Sequence, residues 1–306
     1  MSDGRDGLLL VDKEPGGTSH DVVQQARRLL GQKKIGHCGT LDPDATGLLL
    51  LTLGRATRLT RFLIRAPKVY AGVLRFGVAT DTYDASGRVM AEASTAGLEM
   101  AAIRAAMAEL EGTYEQSPPP YSAKKIQGVR YYELARRGEA VPEAGKEITV
   151  FELRSDGEVA NDRLRFTLSC SSGTYARTIA HEVGRRVGCG AHLESLRRLQ
   201  IGPFRVEQAL TLGRIAAALE PGGELGAAWV PFDRIPLPFA EVTADPQQET
   251  RIAHGQAVVV RQFPGEEGDW VKLINRRHEF IAVGTVTERI ASPQGLGVVQ
   301  PKLVFK

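Results

Sequence analysis

The residues most suited to chemistry in this chain lie between Gly36 and Gly47, in the stretch GHCGTLDPDATG. Its two carboxylates, Asp42 and Asp44, stand two residues apart among glycine, threonine and proline. A carboxylate in such a setting can ligate a metal, shape a turn or attack a substrate. A calcium loop would need a bidentate glutamate at its twelfth position. This chain has Leu53 there, so the calcium alternative fails.

Other metal and cofactor motifs are incomplete. His181 is followed by glutamate, as in the helix of a zinc protease, but Arg185 occupies the place of the second histidine. A second candidate set consists of Cys170, His181, Cys189 and His192. Its spacing matches no common zinc module. The chain also lacks a Walker loop and a dinucleotide-binding fingerprint, so these motifs predict no metal site and no nucleotide site.

The turn alternative for Asp42 has to be weighed against its neighbourhood. Aspartate before proline is common in turns, because the side chain accepts hydrogen bonds from backbone amides. In this chain two glycines, a histidine and a threonine precede the carboxylate, and an apolar segment follows it. A stiff loop of this kind can hold a carboxylate towards a cleft. From these residues alone, a structural turn and a reactive site both stay open.

The elements that would hold this loop are predicted from hydrophobic periodicity and capping residues. Thr18 or Ser19 caps a helix with one apolar stripe, and Gly31 ends it. Strands are predicted over 7–11, 68–76, 148–153 and 164–170, with a short apolar segment over 47–53. Further helices are predicted over 55–65, 98–110 and 175–187.

The character of the chain changes near residue 235, where the stretch IPLPFAEV is rich in proline. The residues beyond it form short β-rich segments separated by glycine and proline, over 257–261, 270–274, 281–286 and 297–305. This pattern predicts a small β-barrel or sandwich. We therefore expect one domain over 1–237 and a second, β-rich domain over 238–306.

Composition indicates a soluble globular protein, with 42% hydrophobic and 25% charged residues in a chain of 306. The net charge of +3 does not by itself indicate nucleic acid, but lysine and arginine recur in short blocks. The three cysteines fit a reducing compartment. No apolar run is long enough for a signal peptide or a membrane span. We expect a cytoplasmic protein without membrane contact.

Six segments of the chain form a set with a characteristic order and spacing. They are GGTSHDVV, GHCGTLDPDATGLLLL with GRATR, KVYAGVLRFGVATDTYDASG, QSPPPYSAKKIQGVRYYELARRG, CSSGTYARTIAHEVG and GCGAHLESLRRLQIGPF. This set resembles the tRNA pseudouridine-55 synthase family and covers most of residues 7 to 205. The C-terminal segment resembles the PUA-type RNA-binding domain of that family. The chain departs from the family's usual residues at Glu14, Cys38 and Ser172.

The resemblance implies an α+β fold, with the catalytic domain on a mixed, mainly antiparallel sheet and a small β-rich PUA-like domain after it. It implies isomerisation of uridine to pseudouridine at position 55 in the T-loop of tRNA. That reaction involves no redox change and needs no cofactor. By resemblance, Asp42 is the nucleophile or base and Arg177 is the cation that keeps it ionised.

The resemblance also assigns residues around the target base. Tyr70 would stack on the base, and its hydroxyl would take part in proton transfer. His37 would contact the RNA where the target nucleotide leaves the stack. Tyr175 and Leu196 match positions that line the uridine pocket.

A uridine inside a folded loop has to be flipped out, and phosphate contacts have to offset that cost. The candidates for these contacts are Lys124, Lys125, Arg136, Arg137, Arg197 and Arg198. An insert over about 114–145 would clamp the T-loop, and the C-terminal domain would hold the acceptor arm. Lys13 would support the catalytic loop. We expect a monomer that needs no protein partner.

Three other functions are compatible with parts of this pattern. A related family modifies RNA inside a guide-RNA particle with protein partners, whereas a stand-alone enzyme acts on bare tRNA. An RNA-folding protein would remodel tRNA even with Asp42 replaced. A carboxylate-pair hydrolase would use Asp42 and Asp44, but such a pair must face one sugar from opposite sides at about 5 Å or more. Two aspartates so close in a proline-containing loop are poorly placed for that.

Overall fold

The computed structural model describes residues 4–119, 125–126, 129–130, 145–261, 263, 265–290 and 295–305. The strands are β1 (Gly7–Lys13), β2 (Ile35–His37), β3 (Thr46–Leu53), β4 (Lys68–Phe76), β5 (Val78–Thr80), β6 (Val89–Glu92), β7 (Gly112–Gln116), β8 (Lys125–Ile126), β9 (Val129–Arg130), β10 (Lys146–Ser155), β11 (Arg163–Cys170), β12 (Ala191–Ile201), β13 (Phe204–Arg205), β14 (Trp229–Pro231), β15 (Ala240–Ala244), β16 (Val258–Val260), β17 (Trp270–Asn275), β18 (Phe280–Ile290) and β19 (Leu296–Val304). The helices are α1 (Ser19–Leu30), α2 (Thr60–Leu63), α3 (Met100–Ala108), α4 (Ala176–Arg186), α5 (Leu212–Ala218) and α6 (Pro246–Ala253).

A ten-stranded sheet forms the larger part of the molecule. Its main path runs β14-β1-β3-β12-β4-β11-β10-β7, with β2 paired to β3 and β13 paired to β12. The β3–β12 pairing is parallel, and the other pairings described in this sheet are antiparallel. A separate five-stranded sheet follows in the order β15-β17-β18-β19-β16. The predicted α+β class, with a mixed sheet and a β-rich C-terminal part, is confirmed.

Strands β1 and β3 are buried on both faces, which explains their continuous apolar sequences. Leu9 and Leu51 pack with α1 on one face, whereas Leu8 and Leu50 pack with the segment around α2 on the other. A further core lies between α3, α4 and strands β4, β10 and β11. The loop that carries Asp42 leads from β2 into β3, so it is anchored to a strand that is covered on both faces.

The elements predicted in the larger domain agree with the structure on both sides of the loop, with one helix as the exception. Thr18 caps α1 in a capping box with Asp21, and Gly31 ends the helix with φ 61°. The strand predicted over 68–76 is β4. The helix predicted over 55–65 is instead a 3₁₀ segment, Gly54–Leu59, followed by the single turn of α2. The tighter bonding between residues three apart continues to the end of the 3₁₀ segment, where the Thr60 amide donates to the Thr57 carbonyl.

Strand β12 has no counterpart among the predicted elements, although it lies between β3 and β4 in the middle of the sheet. It carries two register shifts, between Leu193 and Ser195 and between Arg198 and Gln200. Each bulge interrupts the alternation of side chains that identifies a strand in a sequence. β12 brings both Leu196 and the Arg197-Arg198 block to the centre of the fold.

The two sheets share one aromatic core. Phe62 lies 5.0 Å from Phe239 and 4.8 Å from Trp270 between ring centroids, and Phe232 lies 4.9 Å from Phe305. These rings belong to, or pack against, one buried cluster that also contains apolar residues of β1 in the larger sheet. The expected domain boundary at 237/238 falls in the connection between β14 and β15.

Candidate active site

The loop between β2 and β3 is held by backbone contacts on several sides. The amide of Ala45 donates to the carbonyl of Asp42, which closes a turn around the Asp-Pro dipeptide. The amide of Leu41 donates to Oγ of Ser19 at 2.8 Å. The turn and the reactive-site interpretations are thus compatible, because the turn fixes the backbone and leaves the Asp42 side chain half-exposed.

The side chain of Lys13 holds this loop from the end of β1. Its side chain is buried, and Nζ donates to the carbonyl oxygens of Glu14 at 3.0 Å, Pro43 at 2.7 Å and Ala45 at 2.8 Å. Two of these three carbonyls, those of Pro43 and Ala45, closely follow Asp42 in the loop. The expectation that Lys13 supports this loop is confirmed.

Arg198 holds the same loop from β12. Its Nε donates to the carbonyl of Leu48 at 2.7 Å, and its two terminal nitrogens donate to Thr40 and Gly39 at 3.3 and 3.1 Å. The residue is 1% exposed. The expected phosphate contact of Arg198 is therefore wrong: all of its guanidinium is buried among backbone carbonyls. The backbones of Gly47 and Arg198 also lie so close together that a Cβ atom on Gly47 would clash with the Arg198 backbone.

Asp42 is ion-paired to Arg177, as the sequence predicts. Nε of Arg177 lies 3.0 Å from Oδ2 of Asp42, and its Nη2 lies 3.4 Å from Oδ1. Arg177 is buried at the start of α4, whereas 46% of the Asp42 side chain is accessible. The fork of the guanidinium thus holds both oxygens of the carboxylate while one side of Asp42 stays open to a substrate.

A second carboxylate, Asp84, shares Arg177 and was missed by the sequence analysis. Its Oδ2 lies 3.3 Å from Nη1 of Arg177, and the Thr82 carbonyl accepts from the same nitrogen at 3.3 Å. The other oxygen of Asp84 accepts from the Thr82 hydroxyl and from the amide and hydroxyl of Ser86. The turn-rich stretch DTYDASG carried the signal, since aspartate followed by serine two residues later favours such a turn. Asp44, by contrast, is exposed.

The surroundings of Asp42 favour its protonated form more than those of a fully exposed aspartate would. Burial raises the pKa of Asp42, and Arg177 opposes that rise as the next largest influence. The charges of Asp84 and Asp44 raise the pKa further, and Lys13 lowers it. Arg177 thus limits a rise that burial and two like charges would otherwise make larger.

Tyr70 lies on β4 below the loop and is buried against Leu41 and Ala45. Burial raises the pKa of its hydroxyl, and the charge of Arg198 together with a hydrogen bond from it opposes the rise. The phenol is therefore protonated at neutral pH and can donate a hydrogen bond. Asp42 contributes to this rise through its charge, which puts the two side chains in one electrostatic site.

His37 ends β2 on the approach to the loop. Its Nδ1 is buried and has no hydrogen-bond partner within the described residues. Burial lowers the pKa of the imidazole, so His37 is neutral at neutral pH. Because Nδ1 is buried, a ligand would reach only the partly exposed remainder of the ring.

Tyr175 lies at the start of α4, and Leu196 lies in β12. Tyr175 is the N-cap residue of α4, and Gln116 fixes its backbone by accepting from the Tyr175 amide at 2.8 Å and donating to its carbonyl at 3.3 Å. Leu196 lies opposite Gly72 of β4 and packs partly buried against the core. Arg177 follows Tyr175 by two residues, so Gln116 also fixes the start of the helix that carries Arg177.

Sequence profiles of known families match nearly the whole chain. The profile of the TruB family pseudouridylate synthase N-terminal domain covers residues 27–176. The tRNA pseudouridylate synthase B C-terminal domain covers 177–233, and the Pseudouridine synthase II TruB C-terminal profile covers 240–302. The chain belongs to the TruB family of pseudouridylate synthases. It is therefore an isomerase.

Individual relatives support this membership over the full length. A protein named tRNA pseudouridine synthase B from Solibacter usitatus is 40% identical over 285 residues, covering 92% of this chain and 96% of the relative. A protein of the same name from Burkholderia mallei is 38% identical over 297 residues, covering 96% and 97%. Among solved structures, a chain of a Cbf5–Nop10–Gar1 complex superposes with a TM-score of 0.75 at 26% identity, covering 98% of this chain and 85% of the other.

The remaining basic residues of this TruB-family chain differ in their surroundings. Arg197 forms a bidentate pair with Asp12 at 3.0 and 2.7 Å and keeps 41% of its side chain exposed. Lys125 is described only by its backbone, in β8. Lys124, Arg136 and Arg137 lie outside the described residues, as does most of the expected insert over 114–145.

The described residues also bear on metals and membranes. Within them, no group of three or more histidine, cysteine or acidic side chains is arranged to hold a metal ion. None of the helices in the described ranges is long and apolar enough to cross a membrane.

Proposed function

We propose that this chain converts uridine 55 in the T-loop of tRNA to pseudouridine, with ionised Asp42 as the nucleophile or base. One observation carries the proposal most directly: Asp42 is half-exposed in a loop fixed by Lys13 and Arg198, and a buried Arg177 holds both of its oxygens. The names of the full-length relatives support tRNA as the substrate.

The reaction itself needs only groups of this kind. The bond between C1′ and N1 of uridine breaks, the base rotates, and C5 bonds to C1′. The proton on C5 is released and N1 takes up a proton, so the product is an isomer of the substrate. A carboxylate can attack the base, attack C1′ or take a sugar proton, and each role requires its ionised form. Arg177 favours that form when the base closes the pocket.

Substrate binding would use the flanking residues. The target uridine leaves its stack to reach Asp42. Tyr70 stacks on the base, and its protonated hydroxyl serves proton transfer. His37 contacts the RNA where the target nucleotide leaves the stack, through the partly exposed part of its ring, and Tyr175 and Leu196 line the pocket. Arg197 contacts phosphate through the exposed part of its side chain.

We infer further that the chain acts as a monomer on bare tRNA in the cytoplasm, without a guide RNA or protein partner. The C-terminal sheet would hold the acceptor arm. Its shared aromatic core with the catalytic sheet supports this arrangement, because two contacts at a fixed separation bind one rigid RNA with added affinity. The buried free thiols of Cys38, Cys170 and Cys189 fit a reducing compartment.

The experiment is tritium release from a tRNA transcript that carries uridine labelled at C5. The intact chain and Asp42→Asn are compared with and without chelator, on the native transcript and on one with cytidine at position 55. We expect release only from the intact chain on the native transcript, unaffected by chelator. Release that survives cytidine at position 55 would contradict the assigned target. Release by Asp42→Asn at the intact rate would contradict the role of Asp42.

An RNA-folding role is tested with the same variant. Asp42→Asn keeps the binding surface, so its effect on the folding of a misfolded tRNA transcript separates binding from chemistry. If the variant refolds the transcript as well as the intact chain does, tRNA folding is a second activity of the same surface.

A further inference from the structure

An aromatic stack joins the loop of Asp84 to the helix of Arg177. The rings of Tyr83 and His181 lie 3.9 Å apart between centroids and are inclined by 12°. Tyr83 stands between Thr82 and Asp84, which both bond Arg177. His181 follows Arg177 by four residues, so the two side chains lie on the same face of α4.

The backbone of Tyr83 is in an unfavourable conformation. Its φ is +64°, in the left-handed region that a bulky side chain adopts at a cost. Two hydrogen bonds with β12 hold this segment, since the Leu193 amide donates to the Tyr83 carbonyl at 2.9 Å and the Ala85 amide donates to the Leu193 carbonyl at 3.1 Å. Such a conformation persists only where the surroundings enforce it.

We propose that the Tyr83–His181 stack is a positioning device for the reaction: it clamps the loop 82–84 onto α4 so that Asp84 and the Thr82 carbonyl hold the guanidinium of Arg177 at a set distance from Asp42. Neither ring is a catalytic residue. The stack acts through Arg177, and the inference rests on the proposed role of Asp42.

The contacts on Arg177 explain why a clamp is needed. Arg177 bonds Asp42 from one side and the 82–84 loop from the other. Without the pull of the loop contacts, the guanidinium would turn towards Asp42 and pair with it more fully. Misplacement of a positioning group by about 1 Å can cost about a hundredfold in rate.

The test uses ring removal at each partner and conservative replacements as controls. We expect Tyr83→Ala and His181→Ala to lower the single-turnover rate by about tenfold or more. Tyr83→Phe and His181→Phe retain a flat ring and should keep most of the rate. Tyr83→Gly removes the ring but relieves the left-handed strain, so it should fold at least as well as Tyr83→Ala and still be slow.

The pH profile separates positioning from a general loss of structure. Asp84 raises the pKa of Asp42 and Arg177 lowers it, with Lys13 and Asp44 as the other nearby charges. Release of the loop withdraws Asp84 and frees Arg177 to pair with Asp42, and both changes lower the pKa. The acid limb of the rate profile in Tyr83→Gly should therefore move to lower pH. In the background of Asp84→Asn, this movement should be smaller.

The outcomes are distinguishable. A slow Tyr83→Gly with a displaced acid limb supports the clamp. A Tyr83→Gly that keeps the full rate, or whose rate falls only with its folded fraction and without movement of the limb, overturns it. If the unaltered chain releases no tritium from tRNA, the proposed function fails instead, whatever the variants do.

Discussion

The two sides of the candidate active site are built on different principles. On the loop side, Lys13 and Arg198 are buried cations with no ion pair in the described part of the chain, and together they bond six backbone carbonyls. On the helix side, Arg177 bonds two carboxylates and one carbonyl. The loop side fixes a backbone position, whereas the helix side sets a charge balance.

This difference separates stability from chemistry. A carbonyl that loses a buried donor has no substitute partner, so changes on the loop side should act first on folding. Carboxylates around Arg177 are partly exposed and can be solvated, so changes there should act first on the rate. Substitutions on the two sides test this division. The expected effects on rate, stability or binding decrease in the order Arg177, Arg198, Asp84 and Arg197.

Removal of the helix-side cation should have the largest effect. Arg177→Met leaves Asp42 and Asp84 facing each other without neutralisation, so the Asp42 pKa should rise and the single-turnover rate should fall by about 10²–10³-fold. Arg177→Lys keeps the charge without the fork and should lose less. Thermal unfolding of both should stay close to that of the intact chain. A Met variant within threefold of the intact rate would break the division.

Removal of a loop-side cation should act on folding. Arg198→Met leaves three carbonyl oxygens without their donor, each worth about 1–3 kcal/mol when buried and unsatisfied. We expect the free energy of unfolding in urea to fall by about 3 kcal/mol or more, with activity lost in parallel. Arg198→Lys retains donors and is the matched control. A Met variant with unchanged stability and normal RNA affinity would show that the loop holds itself.

Removal of one like charge should move the pH profile in a defined direction. Asp84 raises the pKa of Asp42 through its charge, so Asp84→Asn should lower that pKa. Because the proposed reaction uses ionised Asp42, the acid limb of the rate should shift to lower pH. Asp44→Asn is the control, since its influence on the Asp42 pKa ranks last. A shift to higher pH in Asp84→Asn would mean that its loss displaces Arg177.

The exposed neighbour of Arg198 should have the smallest effect. Arg197→Ala removes a half-exposed pair with Asp12, which is worth less than about 1 kcal/mol of folding stability. If Arg197 contacts one phosphate, a plot of log affinity for tRNA against log salt should become shallower by about 0.9. An unchanged slope would make Arg197 only a partner of Asp12.

The parts of the site that are local, or carried by a motif, could be foretold from the sequence. The capped helix α1, the strand β4 and the Asp42–Arg177 pair were all predicted. Arg198 was wrongly predicted to contact phosphate, because two adjacent arginines are typical of a protein surface. Nothing in the neighbouring residues indicates that the second arginine is buried within the sheet. Asp84 was missed because its partner, Arg177, is distant in sequence and only the fold joins them. Contacts over such distances leave no periodic signal.

The position of β12 has a consequence for biosynthesis. Leu48 and the arginine that bonds its carbonyl are 150 residues apart in the chain. At about 5–20 residues per second, a ribosome needs on the order of ten seconds to make that interval. During that time the Thr46–Gly47 end of β3 has no parallel neighbour, although Leu51–Leu53 at its other end can already pair with β2. The loop that carries Asp42, together with the start of β3, gains its three hydrogen bonds from Arg198 only when β12 leaves the exit tunnel, so in a nascent chain truncated before Arg198 this loop should be cleaved by proteases more readily than in the complete chain.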